Sequence, residues 1–347
     1  MKRTILTSFV LAALLSVAPP LHAQSVDLKT YYAAADGKKQ AELKKAMYQR
    51  ITSHTTITYS KLWDAYKTSD LRPDGRIRDW YSNATNFDPD TDRAGTYSKE
   101  GDCFNREHSV PQSWFSKESP MKSDLVHVVP TDGYVNNRRG NYPFGETRGE
   151  VYKSANAYSK LGACTVSGYS GQVFEPNDEV KGDFARIYFY MVTCYENRIP
   201  NWSGGTVSQV FDGKTYPGLK EWTLQMFLRW SRQDPVDEVE RARNEAVYRL
   251  QKNRNPFVDY PTLCEFIWGD SIDYAFDVSL PHGQYQQDNP GNPDNPEEPD
   301  VVGSLPEAPS FRLIFDEQGR YLGHSYPPRR GVFVVREGQK TKKVTIK

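Results

Sequence analysis

Beyond the first two dozen residues the sequence has no apolar run of membrane-spanning length, so nothing later in the chain reads as a transmembrane helix. It has no excess of either charge. Its 44 Lys and Arg balance 44 Asp and Glu, which excludes a global basic field and leaves only local clusters to attract phosphate. Cysteine is scarce: Cys103, Cys164, Cys194 and Cys264 form neither a CxxC pair nor a zinc-ligand spacing, which excludes a thioredoxin-type motif and a structural zinc module. What remains is a globular composition, a quarter of it charged, with length for one large domain and a small appendage.

Residues 1–23 begin with Lys2 and Arg3, continue through the apolar run Ile5 to Val17, and end in Pro19, Pro20 and Ala23, the three regions of a secretory signal peptide. Export would leave the chain secreted, periplasmic or at the cell surface. In that oxidising setting the four cysteines are expected to form two disulfides, in one of three connectivities that the sequence leaves open. Residues 24–283 then form the main domain. Residues 284–303, QYQQDNPGNPDNPEEPDVVG, are a linker rich in Pro, Asn and acids. Residues 304–347 alternate in short β-like runs (FRLIF, GVFVV) and resemble the small β-rich tails that some secreted bacterial proteins carry for export or surface retention.

Within the main domain, Leu28 to about Ile51 reads as helix from the i,i+4 recurrence of Leu43, Met47 and Ile51, and Tyr59 to Tyr66 as a second helical piece. Arg76 to Tyr81 alternates like a strand, and Gly162 to Phe174 reads as irregular. Asp178 to Glu196 reads as an amphipathic helix, followed by helices over Leu219–Trp230 and Asp237–Lys252, the last capped by Asp237. Asp88, Asp90 and Asp92 alternate as in a calcium loop. Arg93 stands where that loop needs glycine and Lys99 where it needs its closing Glu, so the stretch is a solvated turn.

The chemistry concentrates in FNREHSVPQSWF, Phe104 to Phe115, where Glu107 and His108 are adjacent. Neighbours on a strand face opposite ways, so the two share a site only where the strand bends or ends, and Pro111 supplies the ending. Alone, the pair is an exposed strand-edge ion pair. Its context is Ser123 to Glu146: a short strand from Asp124 to Val129 carrying His127, a stop at Pro130, and a helix from Asp132 to Arg139 capped by Thr131 and closed by Gly140. Asn136 and Arg139 share one face of that helix. Two strands and a helix presenting a carboxylate and an amide offer the hard oxygen ligands that suit Mg²⁺ or Ca²⁺.

The segments REHSVPQSWF (106–115), DLVHVVPTDGYVNNRRGNYPFGE (124–146), YYAAADGK (31–38), FEPNDEVKGDFARIYFYM (174–191) and NPFVDYPTL (255–263) resemble the bacterial endonuclease I family of secreted or periplasmic non-specific nucleases, of the ββα-metal (His-Me finger) class. The likeness runs from Val26 to about Pro281. It implies an α+β fold, mainly helical around a ββα-metal unit, to which the β-rich C-terminal module is added. It also implies hydrolysis of phosphodiesters in DNA and RNA, with His108 as general base and Glu107 and Asn136 holding one Mg²⁺, Ca²⁺ or Mn²⁺ being alternatives. From its place on the helix, Arg139 is expected to clamp the scissile phosphate. Arg106, His127, Arg138, Asn141 and Arg186 are expected to bind substrate or support these groups. A metal-dependent phosphoesterase for small substrates and a non-catalytic surface binder stay open beside the nuclease.

Overall fold

The computed structural model describes residues 26–279 and, further on, the backbone of strands at 312–315, 321–323, 331–337 and 340–346. The expected signal peptide and linker lie outside the described residues. The helical pattern of residues 28–51 is divided in two. α1 (Leu28–Tyr31) ends ahead of Gly37, whose φ of +70° suits glycine alone, and α2 (Gln40–Ile51) then buries the stripe of Leu43, Met47 and Ile51. α3 (Leu62–Ser69) follows a 3-10 turn at Tyr59–Lys61. Arg76 to Tyr81 forms no strand, only the bridge Leu71↔Ile77. The Asp79 carboxylate instead takes the N–H groups of Tyr81 at 2.9 Å and Ser82 at 3.2 Å, a local turn that replaces a ladder.

β1 (Phe104–His108) and β2 (Val128–Asp132) pair antiparallel, with Glu107 opposite Val129 and His108 opposite Val128. β2 lies later than the strand expected at Asp124–Val129. The chain from Asp124 is a turn whose carbonyl accepts from His127 N at 3.2 Å and Val128 N at 3.0 Å. Nor does Pro130 stop the strand: it sits opposite Arg106 in a two-stranded ribbon, where an edge tolerates the missing N–H. α4 (Gly133–Arg139) follows directly. Its cap is Asp132 rather than Thr131, the carboxylate accepting from Val135 N at 2.8 Å, and Gly140 closes it at φ +57°.

β3 (Tyr152–Lys153), β4 (Lys160–Ala163) and β5 (Gln172–Glu175) form an antiparallel sheet that takes in only the two ends of the stretch expected to be irregular, and the residues between β4 and β5 lie in no strand. α5 (Lys181–Cys194), expected to be amphipathic, is buried on every side. Its charges are met internally: Lys181 by Glu175 at 2.8 Å, Arg186 by Glu240 at 2.7 Å and Asp183 at 3.1 Å. A Cβ at Gly182 would lie 2.0 Å from the Asp234 carbonyl, so only glycine lets α5 approach that turn. Around it stand α6 (Val207–Val210), α7 (Glu221–Gln233), α8 (Glu238–Gln251), α9 (Pro256–Asp259) and α10 (Leu263–Ile267), with Asp237 capping α8 as expected. Phe184 of α5 meets the rings of Trp80, Tyr81 and Phe144 at 5.2, 5.9 and 4.6 Å. Burial of each such side chain stabilises by about 2 kcal/mol, and this cluster makes a dry wall beneath Glu107.

β6 (Arg312–Phe315), β7 (Tyr321–Gly323), β8 (Gly331–Glu337) and β9 (Lys340–Ile346) form an antiparallel sheet in the order β7-β6-β8-β9. The two disulfides expected from the sequence are not formed: Cys103, Cys164, Cys194 and Cys264 are free thiols. Cys103 precedes β1, Cys164 follows β4, Cys194 is in α5 and Cys264 in α10, and each sulfur donates to a nearby carbonyl, of Gly95, Val166, Ile51 and Pro261 respectively. No helix among the described residues is long and apolar enough to cross a membrane.

Candidate active site

β1 ends in two side chains that face opposite ways. Glu107 turns toward α4, where its Oε1 accepts from the Tyr81 hydroxyl at 2.7 Å and Arg139 Nη1 at 2.5 Å. Burial pushes its carboxyl upward, and the Arg139 guanidinium and the Tyr81 hydroxyl pull it back. The side-chain hydrogen bonds among the described residues all fall on Oε1, and the His108 N–H also acts on the carboxylate. Arg139 itself is fully buried; it donates to the carbonyls of His108 at 2.9 Å, Ser109 at 2.7 Å and Tyr142 at 3.2 Å, and lies over the Phe144 ring. The phosphate clamp expected at Arg139 is thus occupied: its donors are spent on Glu107 and on the chain leaving β1.

His108 turns the other way, stacked on Tyr59 with ring centroids 5.8 Å apart and flanked by Phe115 and His127. Its Nε2 lies 3.0 Å from the Lys122 carbonyl. A carbonyl only accepts, so Nε2 carries the proton and Nδ1 the lone pair. Burial, with the neighbouring His127 next in effect, holds its pKa down at about 3. His127 lies behind it, fully buried, with Nε2 2.6 Å from the Met121 carbonyl, and burial lowers its pKa too.

Both imidazoles are neutral in the fold and protonate near pH 6.5 in the unfolded chain. Below that pH the unfolded state binds more protons, so stability present above about 6.5 is lost as pH falls, toward about 3 for His108, by up to about 1.4 kcal/mol per pH unit for each ring. Urea titrations at about pH 7.5 and 5 check this: the midpoint should fall on acidification, and equal midpoints would contradict neutral burial.

Asn136 stands one turn ahead of Arg139 on α4, half-buried, and its amide makes no hydrogen bond within the described residues. Arg138 and Asn141 are exposed; the Arg138 guanidinium lies against the Tyr134 ring, 4.8 Å from its centroid. Arg106 donates to the Tyr59 carbonyl at 2.8 Å and lies 3.6 Å over the Tyr59 ring, beside the face His108 uses. Arg186, expected near phosphate, is instead enclosed by Glu240, Asp183 and the Asp234 carbonyl, because α5 is the centre of the core. The structure therefore pairs Glu107 with Arg139, sets Asn136 on the same helix, turns the His108 ring to the other side of β1 among Tyr59, Phe115 and His127, and leaves Arg186 apart.

Three contributors escaped the sequence reading. Tyr81 and the Lys122 carbonyl are too far along the chain from β1 for any spacing rule to link them. Asp79 joins the Tyr81 turn to the cap of α4, since its Oδ1 also accepts from Asp132 N at 3.0 Å. Only its Asp-x-aromatic turn chemistry hinted at this.

A carboxylate, and an amide with no partner among the described residues, are the oxygen ligands a hard cation takes. The other candidate cluster, His54, Asp124 and Cys194, fits an ion poorly. The Asp124 oxygens already accept from Tyr190 at 2.7 Å, Tyr195 at 2.6 Å and Gln251 at 2.9 Å, and burial pushes the Cys194 thiol up, away from the thiolate a metal needs.

Comparison with known proteins places the chain in a family. The family model described as Endonuclease I matches residues 39–262. The chain is 36% identical over 253 residues to an extracellular ribonuclease of Bacillus amyloliquefaciens, covering 70% of this chain and 80% of that protein. An extracellular ribonuclease of Bacillus subtilis is 35% identical over 263 residues, covering 74% and 84%. An extracellular deoxyribonuclease of Aeromonas hydrophila is 30% identical over 141 residues, covering 40% and 50%. A strand ending in Glu-His, joined to a helix that carries Asn136 and Arg139, thus lies inside a match spanning most of the main domain, and the chain belongs to the endonuclease I family and is an endonuclease.

Proposed function

We propose that the protein is an exported, metal-dependent nuclease that hydrolyses phosphodiester bonds in DNA and RNA with little sequence preference. In this reading His108 is the general base, and Glu107 and Asn136 hold one Mg²⁺, with Ca²⁺ or Mn²⁺ as substitutes. The observation that carries it is the hydrogen bond from His108 Nε2 to the Lys122 carbonyl, which leaves Nδ1 as the acceptor for a water proton. Burial keeps that ring neutral, and the Tyr59 stack fixes its plane. When bound, the divalent ion neutralises charge that builds on the phosphate and the leaving oxygen.

The protein's own groups do the rest. His108 takes the proton as water oxygen bonds to phosphorus, and the bond to the leaving oxygen breaks. Tyr81 and Arg139 hold Glu107 in one orientation. His127 packs behind the base, while Arg106 and Arg138 attract phosphates along the strand. Contacts to phosphate carry little base information, which fits relatives named for RNA and for DNA. Residues 304–347 are read as a small β-rich module tethered by the segment 284–303.

Incubation with plasmid and Mg²⁺ should degrade it to a smear, and excess chelator should abolish degradation. Digestion that persists in chelator would remove the metal from this reading.

A further inference from the structure

Beside the catalytic helix lies a groove of about 560 Å³ that shares only Arg138 with the reading above, lined by Asn137, Arg138, Asn141, Tyr142, Tyr152 and Gln172 among others. Its volume is in the range that takes a small organic ligand. Arg138 leans over the rings of Tyr134 and Tyr152, 4.8 and 5.6 Å from their centroids, and has no acidic partner among the described residues. The Tyr142 ring is 38% exposed. The amides of Asn137, Asn141 and Gln172 make no hydrogen bond within the described residues. Thr206 Oγ1 closes the far wall by donating to the Asn141 carbonyl at 3.4 Å.

An exposed aromatic face, an unpaired cation and three free amides are the groups that grip an unstacked nucleotide: a ring for the base, a guanidinium for the phosphate, amides for the base edge. The groove begins at Asn137, the residue after Asn136 on α4, so it adjoins the helix that carries the proposed metal ligand. We propose that this groove is a subsite for one unpaired base of a single-stranded nucleic acid, adjoining the phosphate to be cut. The inference rests on the phosphodiesterase reading above and adds to it a preference for single strands, since a base in a duplex cannot enter.

The test measures binding of a fluorescent single-stranded oligonucleotide, and of the same oligonucleotide with abasic sites, to His108→Ala protein by anisotropy. Adding Tyr142→Ala and Gln172→Ala should weaken binding of the natural oligonucleotide about tenfold and leave the abasic one unchanged. Tyr142→Phe, which keeps the ring, should bind as tightly as the parent. Equal loss on both oligonucleotides, or loss on neither, overturns the subsite. Cleavage by the wild-type protein is scored separately. A chain that discriminates base from abasic sites but cuts neither would keep the subsite and refute the hydrolase reading.

Discussion

Replacing His108 with alanine should lower kcat on DNA by about a thousandfold, in the middle of the range for losing a general base, while the protein still folds and binds DNA. The expectation follows from the tautomer. With Nε2 committed to the Lys122 carbonyl, Nδ1 is the basic atom, and no other neutral imidazole meets it except His127, whose ring is sealed behind it. Single-turnover digestion of a labelled duplex, alongside an anisotropy titration, separates the two effects. A His108→Ala protein that digests DNA at the parent rate would show that the base lies elsewhere.

Arg139 should behave as a positioning residue, and the contrast with a phosphate clamp is large. Arg139→Ala would leave Glu107 buried without its counter-charge and would remove donors from three carbonyls, costing about 3–5 kcal/mol. For a domain of this size that corresponds to a fall in Tm of about 10 °C. An exposed arginine that only touched phosphate would raise KM and leave Tm within about 1–2 °C. Pairing Arg139→Met with Glu107→Gln should recover part of the lost stability without recovering activity, because the uncompensated charge is gone while the proposed metal ligand is gone too. Parent-like melting of Arg139→Ala would refute the assignment.

Local patterns reached far into this chain. The alternation and punctuation around Glu107 and His108 gave a strand that ends there, and the run before Gly140 gave the helix, because strand termini and helix caps are decided by a few adjacent residues. Asp237 as a cap came from the same local logic. Neighbouring signals misled where a longer-range partner took the backbone: Asp132 displaced Thr131 as cap because Asp79 accepts its own N–H and holds it in place, and Arg76–Tyr81 lost its ladder to the same carboxylate.

The amino-acid sequence by itself pointed to the candidate groups, Glu107, His108 and Asn136, and to the family the chain belongs to, since motif identity and helical spacing survive without coordinates. Only the tertiary structure decided what surrounds them. It spent Arg139 and Arg186 on buried carboxylates, left the four thiols unpaired, and turned His108 so that Nδ1 is free. Those outcomes depend on contacts between residues tens of positions apart, and burial settles them: a charge taken out of water must find a partner, and the nearest one in space is set by packing rather than by order along the chain.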